Sequence, residues 1–123
     1  MSTNLNVQMV KISVSDIERA VPFYRDVLGL NEDFVMAEYG WAQFSAGNLP
    51  VALYVPGKGG GNGTAGQADC LHFSTSDHEG FRAQLHKAGV NAELHKGDDD
   101  TAYYELRDPD GNTFKVMLSQ AEG

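Results

Sequence analysis

One cysteine, Cys70, stands among 123 residues. A lone thiol cannot form an internal disulfide framework, and such scarcity suits a reducing cytoplasm. No CxxC pair occurs, which argues against structural zinc and thioredoxin-type chemistry. Long apolar runs are missing too. None approaches the roughly 18 residues of a membrane-spanning helix, so no membrane partner is expected. The opening MSTNLNVQ holds no basic stretch followed by an apolar core, so no signal peptide is expected and a cytoplasmic protein is. Positive charge is scarce as well. Nine Lys and Arg face 17 Asp and Glu, a formal net charge of −8 that disfavours nonspecific binding to nucleic acid. That charge favours solubility and also leaves open an attraction to cationic small molecules. What is present is an ordinary globular balance, 41% hydrophobic and 21% charged, at a length that suits one domain.

The chain repeats itself. MVKISVSDIE (9–18) and CLHFSTSDHE (70–79) both run from alternating residues into Ser-Asp-x-Glu. Ser15 with Glu18, and Ser76 with Glu79, match a helix capping box, at an offset of 76 − 15 = 61. A helix-like stretch follows each and ends near a glycine, Gly29 or Gly89, at an offset of 89 − 29 = 60. Two units of one plan therefore differ by one residue in helix length. The spacing predicts helices over about 16–28 and 77–88, with Pro22 weakening or kinking the second turn of the first. Candidate strands follow at 32–38, 41–46 and 51–55, then at 91–95, 102–107 and 113–118. Asp108-Pro109-Asp110-Gly111 reads as a turn. Module 1 thus spans about 5–56 and module 2 about 68–119. GKGGGNGTAGQ (57–67) reads as a linker too glycine-rich to pack, and it lacks the spacing of a phosphate-binding loop.

Each unit reads as strand, helix and three strands, an α+β plan: two βαβββ modules form a curved mixed sheet around a groove, with helices outside. Alternation turns Val10, Ile12, Val14, Leu71, Phe73, Phe114, Val116 and Leu118 towards the helices. It turns Met9, Lys11, Ser13, Ala52, Tyr54, Cys70, His72, Ser74, Lys115 and Met117 towards the groove, joined by Trp41, Gln43, Tyr103 and Glu105. Ligand sites favour such concave surfaces. The candidate ligand-binding residues are therefore Met9, Lys11, Trp41, Tyr54, Cys70, His72, Tyr103, Glu105, Lys115 and Met117. His78, His86 and His95 read as solvated.

The stretches VSDIERAVPFYRDVLGL (14–30), LHFSTSDHEGFRAQLHKAGV (71–90) and YYELRDPDGNTFKVM (103–117) resemble the vicinal oxygen chelate superfamily, which includes glyoxalase I, bleomycin-resistance proteins and extradiol dioxygenases. The resemblance covers nearly the whole chain. It implies paired βαβββ modules and often a homodimer. In metal-dependent members, each module gives two ligands to one divalent ion, one on its first strand and one on its last. Carried over, those positions are Met9, Ala52, Cys70 and Lys115. Lysine has no lone pair at neutral pH, alanine has no donor and methionine suits hard metals poorly. No metal ligand and no cofactor is therefore assigned.

The resulting expectation is a metal-free protein that binds a small organic molecule for sequestration, resistance or sensing. A metal-dependent lyase or dioxygenase with a displaced or degenerate site is the alternative, and Lys- or His-assisted proton transfer a third. Lys115 either pairs internally with Glu105 or, with Lys11 and His72, forms a cationic floor for an anionic or carbonyl group, with Arg107 at the rim.

Overall fold

The computed structural model describes residues 5–69, 71–97 and 101–119. Module 1 runs β1 (Val10–Ser13), α1 (Ile17–Pro22), β2 (Asn31–Met36), β3 (Trp41–Ala46) and β4 (Leu49–Tyr54). Module 2 runs β5 (Leu71–Thr75), α2 (His78–Lys87), β6 (Leu94–Lys96), β7 (Ala102–Arg107) and β8 (Thr113–Leu118). The strand orders are β1-β4-β3-β2 and β5-β8-β7-β6. In each sheet the first strand pairs parallel with the last, and the other pairings are antiparallel. This is the expected α+β plan, built as two four-stranded mixed sheets.

Local chemistry adjusts the helix boundaries. The side chains that cap the helices are Asp16 and Asp77, one residue later than the serines of the anticipated capping boxes. Asp16 accepts from the Glu18 and Arg19 amides, and Asp77 accepts from the Gly80 amide. A carboxylate satisfies these orphan donors and also suits the positive end of the helix dipole. Beyond Pro22, α1 opens into a π-helical turn over Phe23–Val27, where the Leu28 amide donates to the Phe23 carbonyl. Pro22 has no N–H to offer the preceding turn, and a π turn takes up one extra residue. The one-residue excess of the first repeat is located here.

That turn holds the two modules together. The Tyr24 ring packs 6.0 Å from Phe44 on β3 and 5.7 Å from Phe114 on β8. Phe23 packs beside it, 5.9 Å from Phe114. One continuous core therefore runs through both modules, from Ile12, Val14 and Leu53 to Leu85, Leu106 and Val116. The residues assigned to the helix side are buried or half-buried, as alternation requires.

The turn at 108–111 forms as expected, with Gly111 at φ 97 and its amide bonded to the Asp108 carbonyl. It also docks on module 1. The buried Asp108 carboxylate accepts from Tyr24 Oη at 2.6 Å, from Asn112 Nδ2 at 2.8 Å, and from the Asp110 and Asn112 amides at 2.9 Å. Asn112 in turn donates to the Ser13 carbonyl and accepts from the Ala68 amide. Asp110 accepts from the Ser15 amide, and Arg19 donates to the Pro109 carbonyl.

Burial, followed by the bond to Asp108, holds the Tyr24 hydroxyl well above the usual phenol range, so it remains a donor. A Tyr24→Phe variant is expected to unfold at lower urea with an unchanged slope, at a loss of about 1.5–3 kcal/mol for a hydrogen bond to a charged group. The raised ionisation contributes stability that is present below about pH 10 and lost as pH rises further. Urea titrations at pH 8 and pH 11 should show a smaller alkaline loss in Tyr24→Phe than in the parent.

Candidate functional site

Strand register decides which candidate residues meet. On the face of module 1 opposite its helix, Lys11 lies beside Ala52, and Ser13 beside Tyr54. Ala52 and Tyr54 are flanked by Gln43 and Trp41. The Lys11 ammonium sits 4.6 Å from the centre of the Tyr54 ring and 6.0 Å from that of Trp41. An ammonium over an aromatic face is attracted by the ring quadrupole, worth about 0.5–1 kcal/mol where exposed. Lys11 is exposed, so its charge remains available to solvent or a ligand, whereas Ala52 is fully buried.

Module 2 repeats the arrangement with different chemistry. His72 lies beside Lys115 and Ser74 beside Met117. Glu105 and Tyr103 flank Lys115 and Met117. The Lys115 ammonium stands 5.1 Å from the Tyr103 ring centre. Glu105 lies 3.8 Å from Arg107, and among the described residues Lys115 forms no ion pair. Matching registers make Lys11 the counterpart of His72 (72 − 11 = 61) and Ala52 that of Lys115 (115 − 52 = 63). They also make Gln43 the counterpart of Glu105 and Trp41 that of Tyr103. Each module thus sets a cation over an aromatic ring, from the first strand in module 1 and from the last in module 2.

Sequence reasoning missed one member. His95, read as solvated, is half-buried and stacks on Tyr103 with ring centres 5.3 Å apart. Its signal was register, since β6 places it opposite Tyr103. His78, read as solvated, is exposed, with Nε2 2.5 Å from the Ser119 carbonyl oxygen. Met9 is half-buried just before β1, and Cys70 lies outside the described residues. The module 1 cluster of Lys11, Trp41 and Tyr54 and the module 2 cluster of His72, Lys115, Tyr103 and Glu105 share no hydrogen bond, ion pair or ring contact among the described residues.

The glycine-rich segment is not a loose connection. The Gly63 amide donates to Tyr54 Oη at 3.0 Å, and Ser13 Oγ donates to the Thr64 carbonyl at 2.9 Å. A Cβ at Gly63 would lie 2.2 Å from Tyr54 Oη, and one at Gly61 would lie 2.6 Å from the Tyr54 ring. The segment packs because its residues lack side chains. It covers Ser13 and Tyr54, each left 7% exposed.

Three of the four positions that the resemblance implies for metal ligation do not suit a divalent ion. Ala52 offers a buried methyl group, Lys115 an ammonium and Met9 a thioether. Among the described residues, no three His, Cys, Asp or Glu side chains are grouped to hold a metal.

A Gly63→Ala substitution is expected to cost about 1–3 kcal/mol by overpacking against Tyr54. In a Tyr54→Phe background, which removes the opposing oxygen, the same substitution should cost less. Equal costs in the two backgrounds, measured by chemical denaturation, would show that the segment is not seated on Tyr54.

The family model for the Glyoxalase/Bleomycin resistance protein/Dioxygenase superfamily matches residues 6–116. No curated protein matches the chain significantly. Solved structures share the fold. A lactoylglutathione lyase from Agrobacterium tumefaciens superposes with a TM-score of 0.77 at 19% identity, over 96% of each chain. An integron cassette protein from the mobile metagenome of V. cholerae gives 0.74 at 22%, over 98% of this chain and 99% of that one. A glyoxalase/bleomycin resistance protein from Catenulispora acidiphila gives 0.71 at 20%, over 96% and 99%.

Proposed function

The chain belongs to the Glyoxalase/Bleomycin resistance protein/Dioxygenase superfamily, and from that premise we propose that it is a metal-free member binding a small organic molecule with an anionic or carbonyl group. Its role is then sequestration, resistance or sensing without turnover. The observation that carries this reading is Lys115. At a position where metal-dependent relatives hold a ligand, it presents an ammonium, set over Tyr103 and beside His72. A fixed cation there takes over the electrostatic part of a metal's task, attracting negative charge or a polarised oxygen, without offering a coordination site. Tyr103 and Trp41 supply flat apolar walls, and Met117 adds adaptable packing. The overall negative charge does not oppose this, because it is screened beyond about 10 Å while the local cations act at contact.

A homodimer is part of the same proposal. Strand β2 is an edge strand, exposed throughout, with Phe34 43% and Met36 41% exposed. An exposed apolar edge invites pairing, and a second copy supplies a symmetric cover. The two cation–aromatic clusters lie on separate sheets, so a partner copy offers a way to complete each groove.

The decisive experiment combines metal analysis of protein purified without chelator with a thermal-shift panel of small carboxylates and carbonyl compounds. The expected result is no stoichiometric divalent ion and stabilisation by an anionic or carbonyl compound. For that compound, Lys115→Glu should weaken binding about tenfold to a hundredfold, the value of a buried charge-assisted hydrogen bond of about 1.5–3 kcal/mol. Lys115→Met keeps most of the stem and should lose nearly as much. If Lys115→Met binds as well as the parent, the lysine is only a packing element. A stoichiometric divalent ion held in this groove would replace the proposal with a metal-dependent lyase or dioxygenase. Light scattering should report a dimer at micromolar concentration, and monomer alone would remove that part.

A further inference from the structure

Behind the sheet of module 2, on its helix-covered side, α2 does not reach the edge strand β6. Of its residues only Leu85 is buried, and β6 has three residues. The gap is a cavity of about 690 Å³, within the usual range for small-molecule sites. Its apolar surface comes from Leu85 and Ala83 on α2, from Tyr104 on β7, and from Leu94, which is 50% exposed. Beside that surface, also on α2, are Arg82 and His86, four residues apart and therefore on one helical face, with Asn91 beyond the helix end. Among the described residues, neither the Arg82 nor the His86 side chain forms an ion pair or hydrogen bond. Glu79 lines the same cavity one turn earlier and opposes a second negative group at that end.

The geometry points to a second binding site here, for a small monocarboxylate with an apolar body. The carboxylate is met by Arg82, whose planar fork suits a bidentate pair, with His86 and Asn91 as further polar neighbours. The apolar body lies between Ala83 and Leu94 and covers the exposed part of Leu94. Charge complementarity selects the anion: Arg82 is an unpaired cation at the mouth of an apolar cavity in a chain where acidic residues outnumber basic ones 17 to 9. The site is on the opposite side of the module 2 sheet from Lys115 and does not depend on the function proposed for that face.

The test uses the full chain, labelled with ¹⁵N and titrated with octanoate, octylammonium and octan-1-ol. Octanoate should bind saturably, with amide shifts centred on Arg82, His86 and Leu94, and at least tenfold more tightly than octylammonium or octan-1-ol. Arg82→Glu should weaken octanoate at least tenfold while leaving the amide spectrum dispersed, because Arg82 is exposed. The proposal is overturned if the shifts centre on Lys115 and Tyr103, if octylammonium or octan-1-ol binds as well as octanoate, or if Arg82→Glu binds octanoate like the parent.

Discussion

A single buried carboxylate organises the junction on which both sheets depend. Asp108 receives the Tyr24 hydroxyl, the Asn112 amide group and two backbone amides. An unpaired carboxylate at that depth would be costly to bury, so its partners must all be in place together. Those partners come from distant parts of the chain: Tyr24 from the first helix, Asn112 from the turn before the last strand, and through Asn112 the end of β1 and the segment entering β5. Folding either module without the other leaves part of this network unsatisfied. The aromatic contacts of Tyr24 with Phe44 and Phe114 add dispersion and burial to the same joint.

The candidate faces inherit their geometry from that joint. Once each sheet is fixed on its helix side, alternation sends Lys11, Tyr54 and Trp41, and likewise His72, Lys115 and Tyr103, to the other side. Both modules place a cation on an aromatic ring, yet they take it from different strands. The halves repeat the fold but present unequal faces.

Much of the fold was legible because its signals are local. Alternation in 41–46, 102–107 and 113–118 placed three strands at their observed bounds, and the Asp-Pro-Asp-Gly turn was plain from residue type. What escaped depended on partners far away in sequence. Asp16 and Asp77 outcompete the neighbouring serines as caps, a choice of one residue that a Ser-Asp pair does not reveal. The packing of 57–67 was misread because glycine content signals flexibility only where no flat ring lies beneath, and Tyr54 does. His95 looked like an edge residue until β6 paired with β7 and laid it on Tyr103. The cross-strand pairs His72–Lys115 and Lys11–Ala52 needed the parallel register, which the individual strands do not encode.

The π turn at Phe23–Val27 has an architectural consequence for the duplicated plan. Phe23 and Tyr24 both pack inward from this turn, where they span the gap between the two sheets. The second helix, one residue shorter, has no such turn and contacts the first through Gln84. The two helices are therefore not interchangeable parts. Transplanting α2 into the place of α1 would shorten the first repeat by one residue and remove its keystone, and the symmetry visible in the sequence ends at that point.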